Sequence, residues 1–269
     1  MTMNILYELN SIYAMLNADE YPQTHAQIES FMEHSEEFVP YTIATNLREA
    51  DKPEDLPDYI IDFIIELYES GIAEGDDQSM NDLGAMYYGG DRGCEQSFEK
   101  AVYYYEMAAG KGNYQAMENL GYCYYYGRVG EPDYEKAYQY FSICALIGGV
   151  AALYKIGDMY LNGYYVRKSE TNAFRLYMHC LDTMTEETDT FVAGPVFLRL
   201  GKMLLNGTGT ETDYKSALVC YQKAESFLYD MVKNGDYMYK NSLKAAIAGQ
   251  AKAREKLSAD LPEQEWTFD

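Results

Sequence analysis

The sequence predicts an all-α fold, a solenoid of antiparallel helix pairs with helical caps at both ends, and three observations carry that prediction. Four stretches align residue on residue, beginning at Leu83-Gly84, Leu120-Gly121, Ile156-Gly157 and Leu200-Gly201. Gly84, Gly121 and Gly157 stand 37 and 36 residues apart and Gly201 follows 44 later, so one unit of about 36 residues repeats with a single insertion. Within a unit the apolar residues recur at helical offsets on two separate segments, which gives two short amphipathic helices that cannot bury their stripes alone.

The central copy, Ala116 to Ala151, shows how the spacing builds the unit. Leu120, Gly121 and Tyr124 form the stripe of the first helix, and Ala137, Phe141 and Cys144 that of the second. The same order recurs as Tyr87, Ala101, Tyr105 and Ala108 upstream, as Tyr160, Ala173, Tyr177 and Cys180 downstream, and as Leu204, Ala217, Tyr221 and Ala224 in the fourth copy. Gly121 and Ala137 fall where a bulky side chain would hold the helices apart, and the aromatic four residues after each alanine is expected to fill the space between one pair and the next. Gly127, with Gly90, Gly163 and Gly207, sits where the first helix should stop in a left-handed conformation. Asp133 and Asp213 stand where they would cap the second helices.

This order of leucine-glycine, tyrosine, alanine, aromatic and alanine is similar to the tetratricopeptide signature, with a longer turn. The link of 16 or 17 positions from glycine to alanine, its extra glycine, and the run Tyr124-Tyr-Tyr-Gly127 followed by Asp133-Tyr-Glu-Lys-Ala137 resemble the Sel-one-like repeat (SLR) family over about residues 76–235. The fourth copy departs from the pattern at Leu204 and Ser216. The resemblance implies a right-handed α-α superhelix and a binding scaffold, commonly bacterial or an adaptor in signalling and protein quality control. It implies no single ligand. Hydrolase and β-lactam-binding activities attached to some members keep an enzyme among the competing classes.

Composition narrows the partners. Forty-three acidic against 21 basic residues give a formal net charge of −22 and a pI near 4.4. Such a surface repels phosphate backbones, which excludes a nucleic-acid partner, and would speed encounter with a basic protein. Solubility alone is the other reading of the charge. Tyrosine is abundant, 29 against a single Trp, chiefly within the repeats, where helix packing explains most of it. Cys94, Cys123, Cys144, Cys180 and Cys220 are odd in number, and four stand at small-residue positions of helix stripes. Some secreted members of the family staple each helix pair with regularly spaced cysteines; that spacing is missing, which argues for a reducing compartment. The first ten residues lack the pattern of a signal peptide and no apolar run approaches the ~20 residues of a membrane span, so a cytoplasmic protein is expected.

Outside the repeats, Ile5, Leu6, Leu9, Ile12, Tyr13 and Leu16 mark a helix over about residues 3–17, Ile28, Phe31 and Met32 a second, and Phe38 to Leu47 further helix to about 49, broken near Pro40. Residues 1–50 read as a helical cap or a small N-terminal domain. Residues 51–75 comprise a linker with Pro53 and Pro57 and a degenerate half repeat over 57–74, and residues 76–235 hold the four repeats. Within the last of these, residues near 182–195 read as a solvated excursion, idle or touching a partner. Asn234-Gly235 reads as a turn, and residues 236–269 as a capping helix followed by an acidic segment that holds Trp266 and is either disordered or folded back.

No catalytic signature appears: no nucleophile elbow, no phosphate-cradling loop, no metal-binding His or Cys pair. Asn206-Gly-Thr-Gly-Thr210 is a repeat turn; His25 and His34 read as surface residues, and His179 beside Cys180 forms no nucleophile pair. No cofactor is expected. A partner is expected on the concave face lined by the first helices, whose residues pointing away from the buried leucines are Asn81, Ala85 and Tyr88; Glu118, Tyr122 and Tyr125; Tyr154, Asp158 and Leu161; Leu198, Lys202 and Leu205. Four tyrosines and three leucines there suit an interface, unless neighbouring helices bury them. The function that follows is a non-enzymatic scaffold binding a basic, apolar peptide or protein in a tyrosine-rich acidic groove. An immunity or antitoxin-type protein neutralising a basic toxin is a sharper alternative, and a self-associating structural protein a third.

Overall fold

A computed structural model describes residues 5–33, 39–51, 55–185 and 190–260, and every secondary-structure element among them is helical. The helices are α1 (Ile5–Met15), α2 (Pro22–Glu33), α3 (Pro40–Glu49), α4 (Asp58–Glu74), α5 (Asp77–Gly89), α6 (Phe98–Gly110), α7 (Tyr114–Tyr126), α8 (Tyr134–Leu146), α9 (Val150–Asn162), α10 (Glu170–Thr183), α11 (Thr190–Asn206), α12 (Tyr214–Lys233) and α13 (Lys240–Asp260). The chain forms two compact units, residues 1–133 and 134–269. The N-terminal helices belong to the first of them, together with α5 to α7. His34, Phe38, Lys52 to Glu54 and the segment with Trp266 lie outside the described residues.

Local chemistry sets the helix ends. Two of the first helices, α5 and α7, start on an acceptor side chain: Asp76 accepts from the Ser79 amide at 2.8 Å, and Asn113 from the Ala116 amide at 2.9 Å, whereas α9 starts on Gly149 without a side-chain cap. Second helices use Ser97, Ser169 and Asp213 in the same way, Asp213 accepting from the Ser216 amide at 2.9 Å. At the other end α5, α7 and α9 stop on Gly90, Gly127 and Gly163 with φ of 65°, 61° and 76°, the left-handed conformation expected of them.

In three of the repeats a ring is laid against a glycine. A Cβ on Gly84 would lie 2.8 Å from the Tyr105 ring, one on Gly157 2.6 Å from the Tyr177 ring, and one on Gly201 3.0 Å from the Tyr221 ring. The ring therefore seats on the glycine of its own helix pair, which corrects the expectation that it fills only the space between pairs. Tyr177 does both, since it also shares a core with Val196 and Leu200 of the following helix. Cys94, Cys123, Cys144 and Cys180 are buried thiols without disulfides, as the packing reading expects, and Cys220 is half-buried.

Two segments differ from the sequence reading. Of the excursion expected near 182–195, residues 186–189 lie outside the described residues, while α10 runs through Thr183 and α11 starts at Thr190, carrying Pro195 inside the helix. Val192, Ala193 and Val196 are buried, so the apolar residues after the acidic stretch pay into the core rather than project into solvent. Asp51, at the start of the expected linker, is also built in. Asp51 is buried and accepts from the amides of Gln23 and Thr24 at 3.0 and 2.7 Å, which caps α2 from a distance. The Arg92 guanidinium donates to the Ala50 carbonyl at 2.7 Å, and Arg48 pairs with Asp91 at 2.7 Å. These contacts tie α2 and α3 to the turn Asp91–Gly93 that ends the first helix of the first repeat.

Candidate protein-binding surface

In the first compact unit the expected face is built on α5 and α7. Asn81 is buried, not solvent-reachable as its helical offset suggests. Its side chain donates to Asp82 at 3.0 Å and accepts from Asn119 at 3.2 Å, while the other Asp82 oxygen accepts from the Tyr41 hydroxyl at 3.0 Å. A chain of polar contacts thus links α3, α5 and α7. Burial, and then Asp82, push the Tyr41 phenol above its ordinary pKa, so it stays the donor.

The other residues of this face gather at the C-terminal ends of α5 and α7. Tyr88, Tyr122 and Tyr125 are half-buried, and Tyr126 is 49% exposed. Tyr122 stacks on Tyr126 at 6.3 Å between centroids, and Tyr125 meets Tyr126 edge-on at 5.0 Å. Arg128, in the turn after Gly127, donates to the Tyr88 hydroxyl at 3.0 Å. Its guanidinium lies 5.5, 5.1 and 5.5 Å from the ring centres of Tyr88, Phe98 and Tyr126. Aromatic edges and one delocalised cation therefore share a partly exposed surface. Glu118, one turn before Tyr122, is half-buried.

In the second compact unit the same helical positions do something else. Tyr154, Asp158 and Leu198 are buried at 8%, 4% and 3% exposure, which removes them from a solvent-reachable face. Leu198 lies in a core with Ala217, Tyr221 and Leu228, and Arg199 of α11 accounts for the other two. Its guanidinium grips both Asp158 oxygens, Nε at 2.5 Å from Oδ1 and Nη2 at 2.9 Å from Oδ2, and covers the Tyr154 ring at 4.5 Å. Tyr177 donates its hydroxyl to Asp158 Oδ1 at 2.7 Å, and Lys155 Nζ is 3.9 Å from Oδ2. Burial lowers the Lys155 pKa to about 8 against the pull of Asp158. Leu161 is half-buried against this core, and Lys202, one turn beyond Leu198, remains exposed.

Arg128, Lys155 and Arg199 are the residues the helical-offset reading missed. A signal was present for two of them. The residue just before the leucine-glycine pair is Asp82, Asn119, Lys155 and Arg199 in the four repeats, polar in every copy on an otherwise apolar approach. Among the described residues no cluster of three His, Cys, Asp or Glu side chains could hold a metal ion, and no helix is long and apolar enough to cross a membrane.

Comparison with known proteins agrees with this architecture. The Sel1 repeat model matches residues 77–113, 115–145, 150–177 and 198–226, the four copies read from the sequence. Similar solved structures include c5321, a protective antigen present in uropathogenic Escherichia coli strains and displaying an SLR fold, at 18% identity and a TM-score of 0.60 over 98% of this chain. This chain spans 58% of the length of c5321. A Sel1 repeat protein from Oxalobacter formigenes is 20% identical with a TM-score of 0.59, covering 93% of this chain and 99% of its own. At these identities the likeness shows the fold. No curated protein sequence matches the chain.

Proposed function

The chain belongs to the Sel1 repeat family, and from that premise we propose that it binds a basic peptide or protein segment through the tyrosines at the C-terminal ends of α5 and α7. Sel1 repeat proteins generally act as protein-interaction scaffolds, and the fold is typically a non-enzymatic one. The observation that carries the finer reading is the partly exposed group of Tyr88, Tyr122, Tyr125 and Tyr126 around Arg128. Tyrosine offers a large apolar surface with few rotatable bonds and a hydroxyl for hydrogen bonding, which suits a recognition surface. A partner of opposite charge fits the −22 of the chain, whose long-range field favours encounter with a basic segment.

Asn81, Tyr154, Asp158 and Leu198 are withdrawn from the partner-facing set by their burial; Tyr88, Glu118, Tyr122 and Tyr125 remain in it in the first unit, and Leu161 and Lys202 in the second. The four buried thiols, outside any disulfide, suit a reducing compartment, and a cytoplasmic protein is part of this proposal. Affinity capture from native lysate at low and then high salt, with the wild-type chain and a Tyr122→Ala/Tyr125→Ala variant as baits, tests the reading. The expected result is a basic partner captured stoichiometrically by the wild type, released by salt, and weakened about tenfold or more by the double change at unchanged helix content. Equal capture by both baits would remove the tyrosines from the interface.

A further inference from the structure

A second surface, on the second helices of the C-terminal unit, is built unlike the tyrosine face. Between α10 and α12, with α11 as its floor, runs an open groove of about 530 Å³. One wall is Phe174, Met178 and Leu181, spaced four and three residues apart on one face of α10. The floor is Phe197 and Leu204, and the other wall includes Val219 and Cys220 of α12. Met178 and Val219 are 39% and 46% exposed, large apolar side chains open to solvent. Among the described residues, the charged ones lining the groove are Lys215 and Lys223, one at each end of the α12 wall, in a chain whose net charge is −22. Lys223 lies over the Phe197 ring at 5.0 Å, and Asp213, the acid next to Lys215, is committed to capping α12.

We propose that this groove is the docking site of the chain's own residues 261–269, Leu-Pro-Glu-Gln-Glu-Trp-Thr-Phe-Asp. Three arguments point to that occupant. The first is complementarity: the segment carries Glu263, Glu265 and Asp269 with no basic residue, and presents Leu261, Trp266 and Phe268, so it matches an apolar groove flanked by two lysines. Much of the remaining surface of so acidic a protein repels it. The second is reach. α13 runs antiparallel to α12, with Gln250 hydrogen-bonded to Glu225 and Ala246 in one core with Leu228. Continuing that register at ~1.5 Å per residue brings the end of α13 level with the first turn of α12, where Lys215 stands. Nine residues in extended form span up to ~30 Å, and a helix with its side chains is ~10–12 Å across, so Trp266 can pass the start of α12 and enter the groove. The third is size: an indole and a phenyl ring bury ~150–250 Å² each, enough to cover the exposed Met178 and Val219.

Trp266 is the one tryptophan of the sequence, so its fluorescence reports on this segment alone. In the full chain the emission is expected to be blue-shifted and shielded from acrylamide, and unchanged across a dilution series. Lys215→Glu/Lys223→Glu, and separately Val219→Asp at an exposed position, should move the emission to that of a solvated indole and raise the quenching constant several-fold, with helix content and thermal midpoint preserved. A solvated indole in the wild-type chain overturns the proposal. So does a shielded indole that both variants leave shielded, because the segment then docks elsewhere, and so does shielding lost on dilution, because the groove is then filled by another copy.

Discussion

Arg199 of α11 closes on Asp158 of α9 as a two-pronged clamp, at 2.5 and 2.9 Å, forty-one residues away in sequence and one repeat away in the C-terminal unit. The carboxylate is 5% exposed at its side chain and also receives the Tyr177 hydroxyl, the ring of which is seated on Gly157. One anion thus joins the first helices of two successive repeats to the second helix between them. Arg199 is held strongly protonated by Asp158 although burial opposes it, and burial together with Asp158 keeps Tyr177 protonated well above its ordinary range.

Breaking this clamp from the arginine side takes from the buried Asp158 carboxylate its two-pronged counter-charge and leaves the Tyr177 hydroxyl and the more distant Lys155 ammonium, a loss of about 3–5 kcal/mol, more than the intact pair contributes over an apolar replacement. Arg199→Met should therefore lower the unfolding free energy by about 3 kcal/mol or more, and adding Asp158→Leu to it should recover a large part of the loss. Urea denaturation of the two single variants and the double variant measures the coupling. Additive losses would mean that the two side chains act independently.

Lys155 makes a pH-dependent contribution of opposite sign to a stabilising ion pair. Its native pKa, lowered to about 8 by burial, lies below the ordinary lysine value of 10.5, so between these values the unfolded chain binds a proton that the native chain does not. Unfolding free energy gains from this residue as pH rises through that window, and at neutral pH the buried ammonium is a cost. Lys155→Met is accordingly expected to stabilise the protein at pH 7 by about 1 kcal/mol or more, with the advantage shrinking towards pH 10. The difference between the two proteins, followed by denaturant titration at each pH, isolates Lys155 from thiols and phenols that ionise in the same range.

The repeats were legible because their determinants are local and recur: a leucine-glycine pair, a turn glycine and an alanine-aromatic pair mark helix starts, ends and close approaches at the same offsets four times. The boundary of the insertion was not legible. Thr190 to Pro195 contains a proline and follows an acidic run, yet Val192 and Val196 find a core that only tertiary packing supplies. The same reason defeated the surface reading. Helical offset says which way Tyr154 and Asp158 point relative to Ile156, but not that Arg199 from another repeat covers them. Asn81 went wrong likewise, covered from α7 by Asn119, whereas Tyr88, Tyr122 and Tyr125, with less arriving over them in the first unit, stay half-exposed as offset alone suggests.

The glycine of a leucine-glycine pair should be the more intolerant of a methyl group the smaller its clearance. On Gly157 a Cβ would stand 2.6 Å from the Tyr177 ring, which is pinned by its bond to Asp158; on Gly201 it would stand 3.0 Å from Tyr221. Ala has the better helix propensity by about 1 kcal/mol, and overpacking costs about 1–3 kcal/mol. Gly157→Ala is expected to be clearly destabilising and Gly201→Ala close to neutral, read as a lower thermal midpoint for the first and little change for the second. A neutral Gly157→Ala would mean that the Tyr177 ring moves without loss and is not locked by Asp158.

Asp51 provides the test of how the N-terminal helices are held. It adopts φ 53°, a left-handed conformation that asparagine and aspartate tolerate, and from there caps α2 while its own amide donates to the Gln23 side chain at 3.2 Å. Burial opposes its ionisation, but the amides of Thr24 and Gln23 and the Thr24 hydroxyl outweigh it and hold the carboxyl below its ordinary pKa. A carboxylate of lowered pKa stabilises the fold above its unfolded value and ceases to do so as pH falls through the native one. Asp51→Ala should cost about 1–2 kcal/mol through the lost cap, with Asn in between because it retains one acceptor and the backbone conformation. Hydrogen exchange localises the effect: amides of α2 should exchange faster in Asp51→Ala at pH 7, and in the wild type only below about pH 4, whereas α9 and α11 should keep their protection in both. Equal acceleration throughout the chain would show that α2 has no local opening of its own and that its cap stabilises the protein only as a whole.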